Sequence, residues 1–201
     1  MITQDVRPIF FESAYVKAPF DKAKAELEAN GYKIISLEQF AKLRKDHSVA
    51  NGGAYAREGF LYVPRRGVFL VRNSPILYNA KEATQCGREG KEFYLTSKQV
   101  EESLENSVQF KNSKSIPTKR FGDDERTRFA FGETAREYGE FLKEAGIDAI
   151  PIELAKIGDK PFAIQAWFCG LGSNSHSGLS GEGYLDGDLA VRGIRWIGGK
   201  K

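Results

Sequence analysis

The sequence feature that most restricts the fold is a stretch rich in glycine and serine between two segments that favour β-strands. Gly170–Asp188 contains six glycines and four serines, and no Lys, Arg, Pro or Gln. The apolar runs Phe162–Phe168 and Leu189–Ile197 flank it and have the length and composition of strands. An irregular segment of this length is uncommon inside a domain and is usually functional or disordered. Four apolar residues would anchor it to the fold: Leu171, Leu179, Tyr184 and Leu185. We therefore expect an ordered loop that lies over a sheet, with its small polar side chains pointing outward.

The rest of the chain predicts helices set among short strands. The predicted helices are Asp21–Ala29, Ser36 to about Lys45, Tyr78–Gly87, Thr96 or Ser97 to about Asn106, and Glu133–Ala145. Their signals are Asp21 as N-cap, Ser36 with Gln39 as a capping box, and Gly31, Gly87 and Gly146 as stops. The predicted strands are Pro8–Glu12, Ile147–Leu154 and a hairpin of Phe60–Val63 and Val68–Arg72, with loops at Ser48–Gly59 and Lys111–Thr118. This order favours one α+β domain over residues 1–201 with an antiparallel sheet, rather than a doubly wound parallel sheet.

Composition argues against several classes of protein. The 30 basic residues nearly balance the 27 acidic ones, for a net charge of +3, whereas nucleic-acid and membrane-surface proteins usually carry a one-signed patch. No apolar run approaches the roughly 20 residues needed to cross a bilayer, and Met1–Pro8 does not resemble a secretory signal. Cys86 and Cys169 form at most one disulfide and no metal framework.

Two kinds of chemistry are conceivable at the start of the Gly/Ser-rich stretch. Gly170 and Gly172, followed by Ser173, could offer backbone N–H groups to a phosphate, but no helix or lysine follows to complete a P-loop. Cys169 and His176 could form a nucleophilic pair, but a cysteine at the end of an apolar strand is more often a small packing or surface residue.

A metal site is conceivable at the end of the stretch. Glu182, Asp186 and Asp188 supply carboxylates, but their spacing lacks the regular alternation of an EF-hand, and solvated loop carboxylates explain them as well. We therefore expect no catalytic site, no metal and no cofactor.

The C-terminal part of the chain resembles a known family. Trp167-Phe168, Leu171, Ser177-Gly-Leu-Ser-Gly181, Leu185 and the ending Val191-Arg-Gly-Ile-Arg195 resemble the variable region of the variable proteins of diversity-generating retroelements, in the style of the archaeal and archaeal-virus members. Those proteins have a C-type-lectin-like fold of the formylglycine-generating-enzyme type. The resemblance implies a variable region at about 167–195. Because no secretory signal and no membrane-spanning run is seen in the sequence, we expect a cytoplasmic or virion-associated protein.

The resemblance also accounts for the composition of the stretch. Such retroelements mutate template adenines, typically in Asn codons that end in a pyrimidine, and these codons cannot become Lys, Gln, Glu, Met or Trp. Every residue of Phe168–Asp188 except Glu182 is accessible in this way. The composition of the stretch therefore agrees with the resemblance.

The resemblance implies a division between fixed and exchangeable side chains. The fixed residues, here called the frame positions, would be Trp167, Leu171, Leu179, Leu185, Val191 and Arg192. The exchangeable ligand contacts, here called the display positions, would be Cys169, Gly170, Ser173, Asn174, Ser175, His176, Ser177, Ser180, Tyr184 and Asp186. The result would be a non-enzymatic binding protein for a protein or cell-surface ligand, with Tyr184 as its best single anchor.

A second hypothesis comes from another class of protein. The Gly-rich stretch could contact the phosphates of a nucleic acid, with Arg120, Arg126 and Arg128 adding positive charge. An affinity that falls steeply with salt would distinguish such a small nucleic-acid-binding or RNA-processing protein from a display protein.

Overall fold

A mixed β-sheet runs through the fold, and helices cover both of its faces. The structure, a computed structural model, describes residues 1–6, 11–47, 52–110, 115–169, 178–181, 185–187 and 189–197. The strands are β1 (Thr3–Val6), β2 (Phe11–Lys17), β3 (Lys33–Ile34), β4 (Ala54–Val63), β5 (Gly67–Val71), β6 (Phe93–Tyr94), β7 (Ser107–Phe110), β8 (Ser115–Pro117), β9 (Ala149–Leu154), β10 (Phe162–Cys169), β11 (Gly178–Gly181) and β12 (Ala190–Trp196). The α-helices are α1 (Phe20–Ala29), α2 (Leu37–His47), α3 (Ala80–Arg88), α4 (Ser97–Leu104), α5 (Glu125–Phe131) and α6 (Ala135–Glu144).

The strand order places the closing strand beside the N-terminal strands. The order is β1-β2-β12-β4-β10-β11-β9-β8, while β5 pairs with β4 and β7, and the short strands β3 and β6 pair with β12 and β10. Most pairs are antiparallel, but β12 with β4 and β11 with β9 are parallel. The α+β class predicted from the sequence is confirmed, with two parallel pairs that the sequence did not predict.

Two hydrophobic cores lie on opposite faces of the sheet. The first core packs against α2, α5 and α6 and contains the ring cluster of Phe40, Phe131, Tyr138 and Phe168. The second core packs against α1, α3 and α4. Phe168 faces the first core and Trp167 the second, as the two-residue period of a strand requires. Burial on both faces explains why β10 is a nearly continuous apolar run in the sequence.

The ends of the helices follow local sequence signals, with one exception. Ser36 and Gln39 cap α2 as predicted, because Gln39 N–H donates to Ser36 Oγ at 3.1 Å and Ser36 N–H donates to Gln39 Oε1 at 3.0 Å. Gly31 follows α1 with a φ of +77°, a left-handed conformation that favours glycine. The prediction that Asp21 caps α1 is wrong: Pro19 occupies the cap position. Asp21 lies in the first turn, where its carboxylate interacts favourably with the positive end of the helix dipole.

The prediction of a loop at Ser48–Gly59 is wrong for its second half, because β4 begins at Ala54. A bulge hides this strand in the sequence, because three residues of β4 face the single residue Ala166 of β10. The side chain of Gln165 closes the bulge by donating from Nε2 to the carbonyl oxygens of Ala56 and Glu58. The sequence of β4 therefore lacks the regular alternation of apolar and polar residues by which strands are recognised.

The remaining predictions are confirmed in part. The hairpin at Pro64–Gly67 joins β4 to β5, and the last predicted helix forms α6, followed by Gly146 with a φ of +77°. The helix predicted to stop at Gly87 ends one residue later. The sequence did not predict α5, nor β8 inside the predicted loop Lys111–Thr118, nor β11 inside the Gly/Ser-rich stretch. Residues 8–10, 48–51 and 111–114 of these predicted elements lie outside the described residues.

Candidate functional site

The candidate site surrounds the C-terminal strands β10, β11 and β12. β10 pairs with β4 on one side and with β11 on the other, where Trp167 faces Ser180. After β11 the chain returns to the second core at Leu185, whose carbonyl accepts the N–H of Phe20 at 2.9 Å. The start of α1 therefore holds the chain at Leu185.

The first arginine of the closing strand β12 is buried. Arg192 is 6% exposed and donates from Nη1 to Ser13 Oγ at 2.9 Å. Its guanidinium carbon lies 5.4 Å from the ring centroid of Tyr15 and 5.9 Å from that of Phe40. Contacts of a guanidinium with aromatic faces are favourable, and more so away from water. Arg192 thus ties β12 to β2 and to α2.

Gly193 and Arg195 of β12 make further contacts that fix this strand. A Cβ atom on Gly193 would lie 3.0 Å from Tyr32 Cβ and 3.2 Å from Leu27 Cδ2, so any other residue would have to displace these neighbours. Arg195 Nε donates to Glu12 Oε2 at 2.6 Å, and its guanidinium lies 4.8 Å from the Tyr32 ring centroid. Packing and ion pairing therefore account for the Val-Arg-Gly-Ile-Arg ending.

A buried tyrosine holds β11 in place. The hydroxyl of Tyr62 donates to the carbonyl of Gly181 at 2.9 Å and accepts the N–H of Ala155 at 3.2 Å. A Cβ atom on Gly181 would lie only 2.6 Å from both Tyr62 Oη and Phe60 Cδ2. Leu179, two residues earlier, is 1% exposed in the first core. Part of the Gly/Ser-rich stretch is thus glycine for reasons of packing.

The side of the site that faces the second core contains Trp167 and Tyr55. Trp167 is half-buried, and its indole lies against Gly53, where no Cβ atom would fit. Burial and the nearby carboxylate of Asp186 raise the pKa of Tyr55 to about 12. Asp186 itself is exposed.

A cavity of about 770 Å³ opens beside these residues. Its wall includes Trp167, Ser180 and Leu185 of the site, together with residues of α3, β6 and the end of β9. The size lies within the range of ligand pockets in proteins.

The architecture matches a solved structure of a protein from Nanoarchaeota. That structure is described by the words "Accommodation of massive sequence variation in Nanoarchaeota by the C-type lectin fold". The match covers 95% of this chain and 100% of that chain, with a TM-score of 0.68 and 17% sequence identity. The chain has a C-type lectin fold. No protein-family model matches the sequence, and no curated protein does.

Five of the six frame positions lie in the described part of this lectin fold. Leu179, Leu185, Val191 and Arg192 are buried, and Trp167 is half-buried. The prediction that Leu179 and Leu185 anchor the stretch as apolar residues is confirmed, and the burial expected of Trp167 holds in part. Leu171 lies outside the described residues.

Three of the ten display positions lie in the described part of the lectin fold. Asp186 is exposed, as predicted, and Cys169 ends β10. The prediction that Ser180 is exposed is wrong, because β11 lies between β10 and β9 and Ser180 is only 5% exposed. The other seven lie outside the described residues: Gly170, Ser173, Asn174, Ser175, His176, Ser177 and Tyr184.

The residues considered for phosphate, nucleophilic and metal chemistry lie mostly outside the described part of the chain: Gly170, Gly172, Ser173, His176, Glu182 and Asp188. The described residues contain no group of three His, Cys, Asp or Glu side chains that could hold a metal. Of the three arginines considered for nucleic acid, Arg126 is already paired with Asp124, from Nε at 2.9 Å and from Nη2 at 2.6 Å. No helix in this part of the chain is long and apolar enough to span a membrane.

One buried carboxyl group could not be found from the sequence. Glu58 is 1% exposed, and its Oε2 accepts the N–H of Leu37 at 2.9 Å at the start of α2. Burial raises the pKa of Glu58 to about 7. The sequence offered no signal for this burial, because Glu58 lies in the bulge that was predicted as a loop.

Proposed function

We propose that this protein is a non-enzymatic ligand-binding protein that presents variable side chains on a fixed C-type lectin fold. The variable side chains are the display positions other than Ser180, and the ligand is a protein or a cell-surface molecule. We further propose that a retroelement diversifies the segment 167–195, as the resemblance of its residues implies.

The observation that carries the proposal is the split between held and exposed residues within one short segment. The described frame positions are tied to three separate parts of the fold: Arg192 to β2, Leu185 to α1, and Leu179 to the first core. Asp186, directly after Leu185, is exposed. A backbone held in this way can keep its course while neighbouring side chains change.

The solved structure from Nanoarchaeota supports the same proposal. It associates the C-type lectin fold with massive sequence variation. An exposed loop substitution usually changes stability by less than about 0.5 kcal/mol, so a fold with this division tolerates many sequences at little cost. Tyrosine, serine and glycine are also the residues that adaptable binding surfaces favour.

A pair of displayed libraries tests the binding function. One library randomises the display positions 173–177, 184 and 186, and the matched library randomises the frame positions 179, 185, 191 and 192 together with Gly181 and Gly193. Both are selected on the same panel of unrelated folded proteins. We expect binders from the first library and none from the second, because only the second disrupts the fold.

Binders that arise equally from both libraries would contradict the proposal, and so would a first library that gives folded members but no binders. Protease resistance of unselected members provides the control for folding. Binding should also change little between low and moderate salt, whereas phosphate contacts would make the affinity fall steeply.

A further inference from the structure

The two ends of the segment 167–195 lie on strands that flank β4. In the sheet, β10 is the neighbour of β4 on one side and β12 is its neighbour on the other. Trp167 of β10 pairs with Tyr55 of β4, and Val191 of β12 pairs with the same Tyr55. Neighbouring strands lie about 4.8 Å apart. One residue of β4 therefore sets how these two frame positions are aligned with each other.

The bulge in β4 determines which residue of β4 takes that place. Before the bulge, Gln165 pairs with Gly59, and after it Trp167 pairs with Tyr55. A ladder continued without the bulge would place Trp167 opposite Arg57 instead. The bulge thus shifts the pairing by two residues, which corresponds to about 7 Å along an antiparallel strand. It moves the end of β10 by this distance relative to β12.

Hydrophobic burial alone does not choose between the two registers. Side chains alternate between the faces of a sheet with a period of two, so a shift by two residues keeps every side chain on its face. Phe168 pairs with Ala54, and in the continuous ladder it would face Ala56. Both alanines are small and buried in the first core. A polar interaction must therefore favour the bulged register.

Gln165 supplies this polar interaction. Its side chain is fully buried, and Nε2 donates to the carbonyl oxygens of Ala56 and Glu58, the residues on either side of Arg57. A bulge takes residues out of the ladder, and buried carbonyl groups there need another donor. An apolar side chain at position 165 would remove this donor, whereas a continuous ladder offers the backbone N–H groups of β10.

We propose that Gln165 is a positioning residue of the display surface. Its amide selects the bulged register of β4 and so fixes the offset between the two ends of the segment 167–195. The inference rests on the proposed binding function and adds to it a residue outside the segment, on which the geometry of the segment depends. Bulges commonly adjust the direction of side chains beside functional sites in this manner.

A pair of methionine variants of the full chain tests this inference. Gln165→Met keeps an unbranched side chain of similar size and removes the amide. Gln109→Met is the matched control, since Gln109 donates from Nε2 to the carbonyl of Arg66 at 2.7 Å and lies on β7, which pairs with β5. Nuclear Overhauser contacts between backbone protons of β10 and β4 report the register. Binders selected from the display library report the display surface.

We expect the parent and Gln109→Met to show backbone contacts between Trp167 and Tyr55. Gln165→Met should lose these contacts and show contacts between Trp167 and Arg57. The affinity of the selected binders should fall at least about tenfold in Gln165→Met, because one end of the segment moves relative to the other. The affinity should change little in Gln109→Met.

Unchanged contacts between Trp167 and Tyr55 in Gln165→Met would overturn the inference, and so would a shifted register with unchanged binding. If Gln165→Met does not fold, a library randomised at position 165 and sorted for protease resistance decides. Resistant members with other residues at this position should exist and should not bind. Resistant members that all carry Gln would give this residue a role in folding alone and would overturn the inference.

The failure of this inference and the failure of the proposed function can be told apart. The register is measured without any ligand, so an unchanged register in Gln165→Met contradicts the role of Gln165 and leaves the display account intact. A display library that yields folded members and no binders contradicts the proposed function, whatever the register of β4.

Discussion

Arg195 and Glu12 join the closing strand to β2 through an ion pair in which Nε and Nη2 of Arg195 both lie 2.6 Å from Oε2 of Glu12. The Glu12 side chain is 2% exposed and that of Arg195 is 37% exposed. The hydroxyl of Tyr32 donates to the same carboxylate oxygen at 3.2 Å. Tyr32 and Arg195 therefore both donate to this buried acid, and Arg195 does so from the last described strand.

We predict that Arg195→Met destabilises the protein by about 2–3 kcal/mol, because it removes a cation paired with the buried Glu12 carboxylate. The partial exposure of Arg195 keeps the effect below that of a fully buried pair. Lys24→Met is the control, since Lys24 pairs with Glu28 on the surface of α1 and should cost less than about 0.5 kcal/mol. Urea unfolding measures both. Equal losses would mean that the ion pair does not hold β12.

Gly181→Ala should destabilise the protein by about 1–3 kcal/mol, because the new methyl group would collide with Phe60 and Tyr62 in a packed core. Gly187→Ala is the matched control, since nothing lies within 4 Å of a Cβ atom built there. The measurement is the free energy of unfolding of the two variants and the parent. If Gly181→Ala were as stable as Gly187→Ala, Gly181 would not belong to the fixed part of the site.

Glu58 should make stability depend on pH. Its pKa is about 7 in the folded protein, against an ordinary value of 4.5. Between these values the unfolded chain loses the proton while the folded protein keeps it, so stability falls as the pH rises from about 4.5 to about 7. The full loss from this one group is about 3 kcal/mol.

Glu58→Gln isolates that contribution, because the amide oxygen can still accept the N–H of Leu37. The stability difference between Glu58→Gln and the parent should grow across this window and stay constant above pH 7. Glu140→Gln, at an exposed position of α6, should show no such trend. A difference between Glu58→Gln and the parent that does not vary with pH would contradict the prediction.

Cys169 and His176 should carry no chemistry. If both occupy exchangeable positions, a catalytic pair could not be maintained between variants. We predict that the double change Cys169→Ser and His176→Asn leaves the thermal unfolding midpoint and any activity of the parent unchanged, although ligand binding can change. A turnover reaction of the parent that this double variant lost would make the binding hypothesis wrong.

Local signals in the sequence were enough for much of the scaffold. Ser36 with Gln39, Gly31 and Gly146 gave correct helix ends, because each acts through neighbouring backbone groups. The burial of the apolar anchors Leu179 and Leu185 was also predicted correctly, since isolated apolar side chains in a polar stretch are the ones that pack into the core.

The sequence could not predict features that depend on distant partners. The bulge in β4 exists because Gln165, more than a hundred residues away, hydrogen-bonds to its carbonyl groups. Ser180 was expected on the surface, but strand pairing on both sides encloses it. The cavity likewise arises where β6 and β11 meet different parts of β10, and no run of residues encodes that gap.

The most direct test of the display account is the natural variation of the coding segment for residues 167–195. Sequencing this segment from many cells or virus particles of one source population should show substitutions concentrated at positions 169, 170, 173–177, 184 and 186. Positions 179, 181, 185, 191–193 and 195 should be invariant, because the described structure buries them or ties them to other elements. Changes should follow adenines, and a reverse transcriptase with a near-copy of the segment should lie nearby in the DNA. Substitutions spread evenly over both groups of positions, or no variation at all, would contradict the account.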